Sequence, residues 1–265
     1  MSSPGKTATI LGHLAELRDR LVRGTIAVVI TVGVAFIFIN QIFALLTFKS
    51  ELTKPIFDYI VNTLHLTAPP DIQTLQAIEM TEIFGAYMNV GLVSGIILAI
   101  PYLIYELIMF IAPALTNKEK RYVYLLIPWV TLMLIVGVLF AYFILLPPAI
   151  NFFFNFGKEV AILNPRIKDY IAFVTKLLLA VGLVFELPVV ITFLAKIGVV
   201  SPKWLAEKRK WAIIVAFVVG GIITPTFDPI NQLLVTLPML LLYEVSIWSA
   251  RLVYKKKKPP APVAP

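Results

Sequence analysis

The sequence predicts an all-α integral membrane protein with six transmembrane helices and both termini cytoplasmic. Three observations predict it. Of 265 residues, 59% are hydrophobic and only 14% charged, where a soluble domain carries about a quarter charged residues. Such a chain has too little polar surface to cover itself in water, and its mean hydropathy is +0.89. Uncharged stretches recur at roughly the 20-residue length that a spanning helix needs. Basic residues gather in alternate connecting segments, as they do in cytoplasmic loops.

Gly24 to Phe48 is uncharged and supplies span 1, and Ile83 to Tyr105 supplies span 2. Tyr122 to Gly157 exceeds one span, and Pro147-Pro148 divides it, which predicts span 3 from Tyr122 to Leu146 followed by a loop. Span 4 runs from Tyr170 to Ile197 and contains Lys176 and Glu186. Trp211 to Ala250 carries a turn signal at Pro225, Asp228 and Pro229. It therefore reads as two short spans, Trp211 to Ile223 and Ile230 to Trp248.

With the amino terminus inside, the inner segments hold 17 Lys and Arg and the outer loops 5. One last span in place of two would put the Lys255 to Lys258 run outside, against the bias. A single membrane domain over residues 1–265 is expected. Residues 1–23 would form an amphipathic cytoplasmic helix, residues 24–250 the six spans, and residues 251–265 a basic, Pro-rich tail of disordered composition. The loop from Lys49 to Thr81 is the longest outer one, with an amphipathic run from Pro55 to Leu66. The first 20 residues contain no apolar h-region, so no signal peptide is expected, which favours a bacterial or organelle-encoded chain.

The absence of cysteine removes disulfides and thiol chemistry, and two histidines cannot build a His-rich metal site. No nucleophile elbow, phosphate loop or HExxH motif is present. The reading is therefore a non-enzyme without metal or cofactor. The net charge of +8 lies in the loops, so it points to topology rather than to nucleic acid.

Charges at membrane depth are costly and are functional candidates by default. Glu186, in Phe185-Glu186-Leu187-Pro188, lies near the middle of span 4. It either faces protein or a wet cavity in a working role, or fixes helix packing through a hydrogen bond. Lys176 can snorkel outward. Glu16 and Arg20 form an i,i+4 pair on a helix whose Leu14, Leu17 and Leu21 share a face, and spacing alone favours a solvated ion pair. Glu119 alone is an ordinary loop charge. Asp228 suits a turn, and Pro101 and Pro238 interrupt helices.

Taken together, ordered segments resemble the TatC family, the multi-spanning core subunit of the twin-arginine translocase. They begin with His13-Leu14-x-Glu16-Leu17-Arg18-x-Arg20-Leu21. Pro101-Tyr102-Leu103-Ile104-Tyr105, Phe110-Ile111-Ala112-Pro113-Ala114-Leu115 and Glu119-Lys120-Arg121 follow. Ala141-Tyr142-Phe143, Phe185-Glu186-Leu187-Pro188, Ser201-Pro202, Lys208-Arg209-Lys210, Thr224-Pro225 and Leu242-Tyr243-Glu244 complete the set. The resemblance covers Gly12 to Arg251. It departs from the family at Asn89, where many relatives carry lysine, and in a last outer turn one residue longer than the common Thr-Pro-Pro-Asp.

The resemblance implies a concave bundle that binds the twin-arginine motif of signal peptides on folded cargo. It implies assembly with TatA- and TatB-like single-span subunits and with further TatC copies in the bacterial inner membrane, powered by the proton-motive force. Glu16 and Glu119 match the recognition carboxylates, with Phe110, Arg18, Lys120 and Arg121 around them. Glu186 matches the intramembrane glutamate, and Gln232 lies on the surface implied to dock partners. Pro55, Pro101 and Asp228 carry over as structural positions. The alternatives are a proton-coupled small-molecule transporter using Glu186, or a structural subunit of a respiratory complex.

Overall fold

The structure, a computed structural model, describes residues 10–49, 54–64, 75–111, 117–155, 165–223 and 229–254. The described residues are helical almost throughout. In chain order they form α1 (Ile10–Ile37), α2 (Ile39–Leu46), α3 (Lys54–Leu64), α4 (Glu82–Ile111), α5 (Asn117–Phe140), α6 (Leu146–Asn155), α7 (Ile167–Phe185), α8 (Leu187–Lys196), α9 (Pro202–Glu207), α10 (Arg209–Ile223) and α11 (Pro229–Val253). A π-helical turn, Ala141–Leu145, joins α5 to α6.

Helix is what lipid demands, because every backbone polar group must be satisfied within the chain. Side-chain hydroxyls follow the same rule. Thr25 donates to the Leu21 carbonyl at 2.9 Å and Thr31 to that of Ala27 at 3.0 Å.

Among the described residues, five segments are long and apolar enough to cross a membrane: Gly12–Ile37, Glu82–Phe110, Leu126–Asn155, Ile167–Lys196 and Gln232–Val253. The fifth of the six expected spans falls short of that standard. It is α10, whose 15 residues extend only about 22 Å at 1.5 Å per residue. Its partner α11 is not short. It runs for 25 residues, with Pro238 inside it, because the helix continues past Trp248 through Ala250, Arg251 and Leu252 to Val253.

Three other boundaries differ from the sequence reading. The amphipathic leader and span 1 are one helix, α1, with a break only at Phe38. Pro147 and Pro148 do not end span 3. They fall in the first turn of α6, where a missing N–H costs little, and the π turn ahead of them absorbs the change of path. Span 4 is interrupted at Glu186, between α7 and α8. Pro188 there has no N–H to offer the preceding turn.

The helices α1 and α4 run antiparallel in close contact. A Cβ at Gly95 would lie 2.4 Å from the Val32 Cα, and one at Gly91 would lie 2.6 Å from the Phe36 ring. These glycines let two helices approach as small residues do in lipid. On its other sides α4 meets α7 and α5, while α11 packs on α8 and α10. The main core joins α4, α6, α7 and the π turn through Val90, Leu146, Ile150, Ile171 and Val174, all fully buried. At one end Arg166 pairs with Glu82 and Glu79, and Tyr142 and Tyr170 donate to the Leu45 and Leu46 carbonyls at 2.8 and 2.9 Å.

Candidate functional site

Charged side chains meet where the amino-terminal part of α1 crosses the carboxy-terminal part of α4. Helical spacing places His13, Glu16 and Arg20 on one face of α1, and Tyr102, Glu106 and Phe110 on one face of α4. The Arg20 guanidinium donates to Glu16 Oε1 through Nε at 3.0 Å and Nη2 at 2.6 Å. Its Nη1 donates to Glu106 Oε2 at 2.9 Å. The other Glu106 oxygen accepts from the Tyr102 hydroxyl at 2.9 Å and has Arg23 Nη1 at 3.8 Å. His13 Nδ1 is 3.7 Å from Glu16 Oε2, and the His13 ring stacks on Phe110 with centroids 4.3 Å apart.

Burial grades this cluster. The Arg20 side chain is 14% exposed and that of Glu106 6%, while Glu16 keeps 29%. The i,i+4 pair is therefore no solvated surface bridge, because Arg20 is drawn inward by a second, buried carboxylate. The uncharged stretch of span 2 ends at Tyr105, so Glu106 falls just outside it and hydropathy alone does not single it out. The Tyr102, Glu106, Phe110 repeat of four was the available signal.

An apolar groove of about 340 Å³ continues from this cluster between α1 and α4. Arg20 and Glu106 stand at its head, and Leu17, Leu21, Val28, Leu103 and Leu107 line it. From Arg20 to Val28 it follows α1 for about 12 Å toward the membrane interior. The arrangement can accept guanidinium groups at its head and a hydrocarbon stretch along its length.

Arg18 points away and pairs with Asp19 at 3.1 Å, with 79% of its side chain exposed. The structure does not bring it to Glu16. Glu119 and Lys120 lie in the first turn of α5 and Arg121 just after it, and α5 follows α4 at the same end of the bundle. Their side chains lie outside the described residues, as does Asp228. Pro55 is in the first turn of α3 and Pro101 inside α4.

Glu186 sits elsewhere, at the α7–α8 break. It is 2% exposed, and neither carboxylate oxygen has a hydrogen-bond partner among the described residues. Gln232 lies on α11 and donates to the Phe217 carbonyl at 2.8 Å, joining α11 to α10. Lys176 does not simply reach for solvent. Its ammonium donates to the Ile222 carbonyl in the last turn of α10, where a helix dipole favours a cation.

A family profile described as Sec-independent protein translocase protein (TatC) matches residues 12–238. The chain belongs to the TatC family. The TatC protein of Desulforapulum autotrophicum is 38% identical over 257 residues, covering 97% of this chain and 89% of that protein. That of Aquifex aeolicus is 38% identical over 248 residues, covering 93% and 96%. A crystal structure of a twin arginine translocase receptor, TatC, superposes with a TM-score of 0.73 at 37% identity, covering 91% of this chain and 99% of that one. TatC membership makes the chain a subunit of a Sec-independent protein translocase, a transport component rather than a member of an enzyme family. It implies work with other Tat subunits, as a multi-pass protein of the bacterial inner membrane.

Proposed function

We propose that this chain is the signal-peptide receptor of its translocase, reading the twin-arginine motif at the α1–α4 carboxylates. The observation that carries this reading is the joining of two carboxylates to an apolar groove that descends into the membrane. A signal peptide has the matching order, a cationic segment followed by an apolar one. Forked guanidinium donors suit carboxylates that accept two bonds, and charge-assisted pairs of that kind are the strong ones.

Arg20 already holds both Glu16 and Glu106. An arriving arginine would take Glu16, the more exposed of the two, and leave Arg20 on Glu106. The second arginine would meet Glu119 on the first turn of α5. Phe110, braced by His13, would pack the apolar residues beside the pair. Arg18, Lys120 and Arg121 would orient the peptide or repel wrong ligands. Crosslinking of a twin-arginine signal peptide in membranes tests this. Glu16→Ala and Glu119→Ala should each reduce it by about tenfold, and unchanged crosslinking in both would end the idea.

The proposal extends to six spans with both termini cytoplasmic, in one membrane domain carrying a basic tail. In it α10 and α11, with Gln232, form the face that docks TatA- and TatB-like subunits and further TatC copies for export driven by the proton-motive force. Glu186 would meet a polar group of a partner helix or of the inserted signal, once α7 and α8 part to uncover it. A proton-coupled small-molecule transporter is less well supported, since no hydrogen bond links Glu186 to another group among the described residues.

A further inference from the structure

The helices α8 and α10 both pack on α11 but scarcely touch each other. Between them lies a second groove, of about 370 Å³. Its walls are Leu187 and Ile191 on one side and Ala212 and Val215 on the other, over Met239 and Tyr243 as floor. The alanine leaves space that a larger side chain would fill. Val215 is 56% exposed, so the groove opens sideways.

One end of the groove is different. There α9 turns across it, placing Trp204, Lys208 and Trp211 at the rim. Trp204 and Trp211 are 50% and 63% exposed, and tryptophans at such positions mark the headgroup level of a bilayer. Lys203 and Lys210 flank the rim in sequence. Arg209, next to Lys208, is committed to Glu244 through two bonds of 2.7 and 2.8 Å. Lys208 makes no ion pair among the described residues. From Lys208 to Ala216 the groove follows α10 for about 12 Å, from headgroup depth down to Leu187, next to mid-membrane Glu186.

We propose that this groove is a binding site for one anionic phospholipid. Its phosphate sits on Lys208, and one acyl chain lies between α8 and α10 on α11. A groove open to lipid is filled by hydrocarbon, and the uncommitted cation at its mouth selects the charge of the headgroup. Basic pockets between spanning helices bind anionic headgroups in this way, and a lysine near the surface favours them by about fivefold. A bound chain would also support α10, which has few contacts apart from those with α11. The proposal does not depend on the receptor reading.

Native mass spectrometry of the purified full-length protein tests it. Delipidated protein in detergent is titrated with phosphatidylglycerol and phosphatidylethanolamine of identical acyl chains. One phosphatidylglycerol should be retained about fivefold better. Lys208→Gln should remove that preference, Lys168→Gln at the far end should keep it, and Val215→Trp should lower retention of both lipids. Equal retention in the wild type, a preference that survives Lys208→Gln, or one lost equally in Lys168→Gln would overturn the proposal. So would a second copy of the chain in the groove, seen as a dimer lost in Val215→Trp.

Discussion

Arg20 is the residue on which the candidate site turns. It bridges a partly exposed carboxylate, Glu16, and a buried one, Glu106, so its removal leaves Glu106 with Tyr102 and a distant Arg23. Loss of one partner from a buried pair is strongly destabilising, about 3–5 kcal/mol. Arg20→Met should therefore lower the unfolding temperature of the detergent-solubilised protein markedly. The double variant Arg20→Met/Glu106→Leu should recover most of the loss, as apolar replacements of buried pairs do. A double variant no more stable than Arg20→Met would show that the two side chains do not act together. Much of this site was legible in sequence and part was not. Glu16, Arg20 and Phe110 stand in recognisable motifs before and after the first two spans. The grip of Glu106 on Arg20 was not legible, because it joins residues 86 apart, and a single sequence carries no register between helices.

That register is set at the level of the element, by glycine. Gly95 lets the α4 backbone meet the α1 backbone at Val32, with no room for even one carbon. Gly33, on the same helix as Val32, has nothing within 4 Å of an added Cβ. Gly95→Val should thus destabilise the protein by about 1–3 kcal/mol through overpacking and disturb the Arg20–Glu106 pair at the end of the same interface. Gly33→Ala should be neutral or mildly stabilising, since alanine is the better helix former by about 1 kcal/mol. Thermal melts of the two variants check this, and equal melting temperatures would contradict the packing account. Five of the expected spans are legible in the sequence, because hydropathy reports lipid directly. Their ends are not. The π turn ahead of Pro147 and the break at Glu186 arise from local backbone accommodation that hydropathy does not encode. The helix α11 outruns its expected end at Trp248 because Arg251 stands in its last turn, where a cation does not stop a helix.

The whole molecule is then a lipid-solvated bundle with the Glu16–Arg20–Glu106 cluster at one end and a short α10 held by α11 and by Lys176. The proposed topology rests on the charge count, and the lack of cysteine makes it measurable. Single cysteines at Lys49 and Lys168 should react with an impermeant maleimide added outside intact cells. Cysteines at Lys203 and Lys208 should react only after permeabilisation, and the reverse pattern would invert the proposed orientation. The central claim is recognition of paired arginines, and one measurement addresses it most directly. Purified full-length protein is incubated with an immobilised twin-arginine signal peptide and with its twin-lysine counterpart. Lysine cannot reproduce the forked contact, and charge-assisted hydrogen bonds are worth about 1.5–3 kcal/mol each. Capture by the arginine peptide should be at least about tenfold stronger, and that margin should be lost in Glu16→Ala. Equal capture by the two peptides would contradict it.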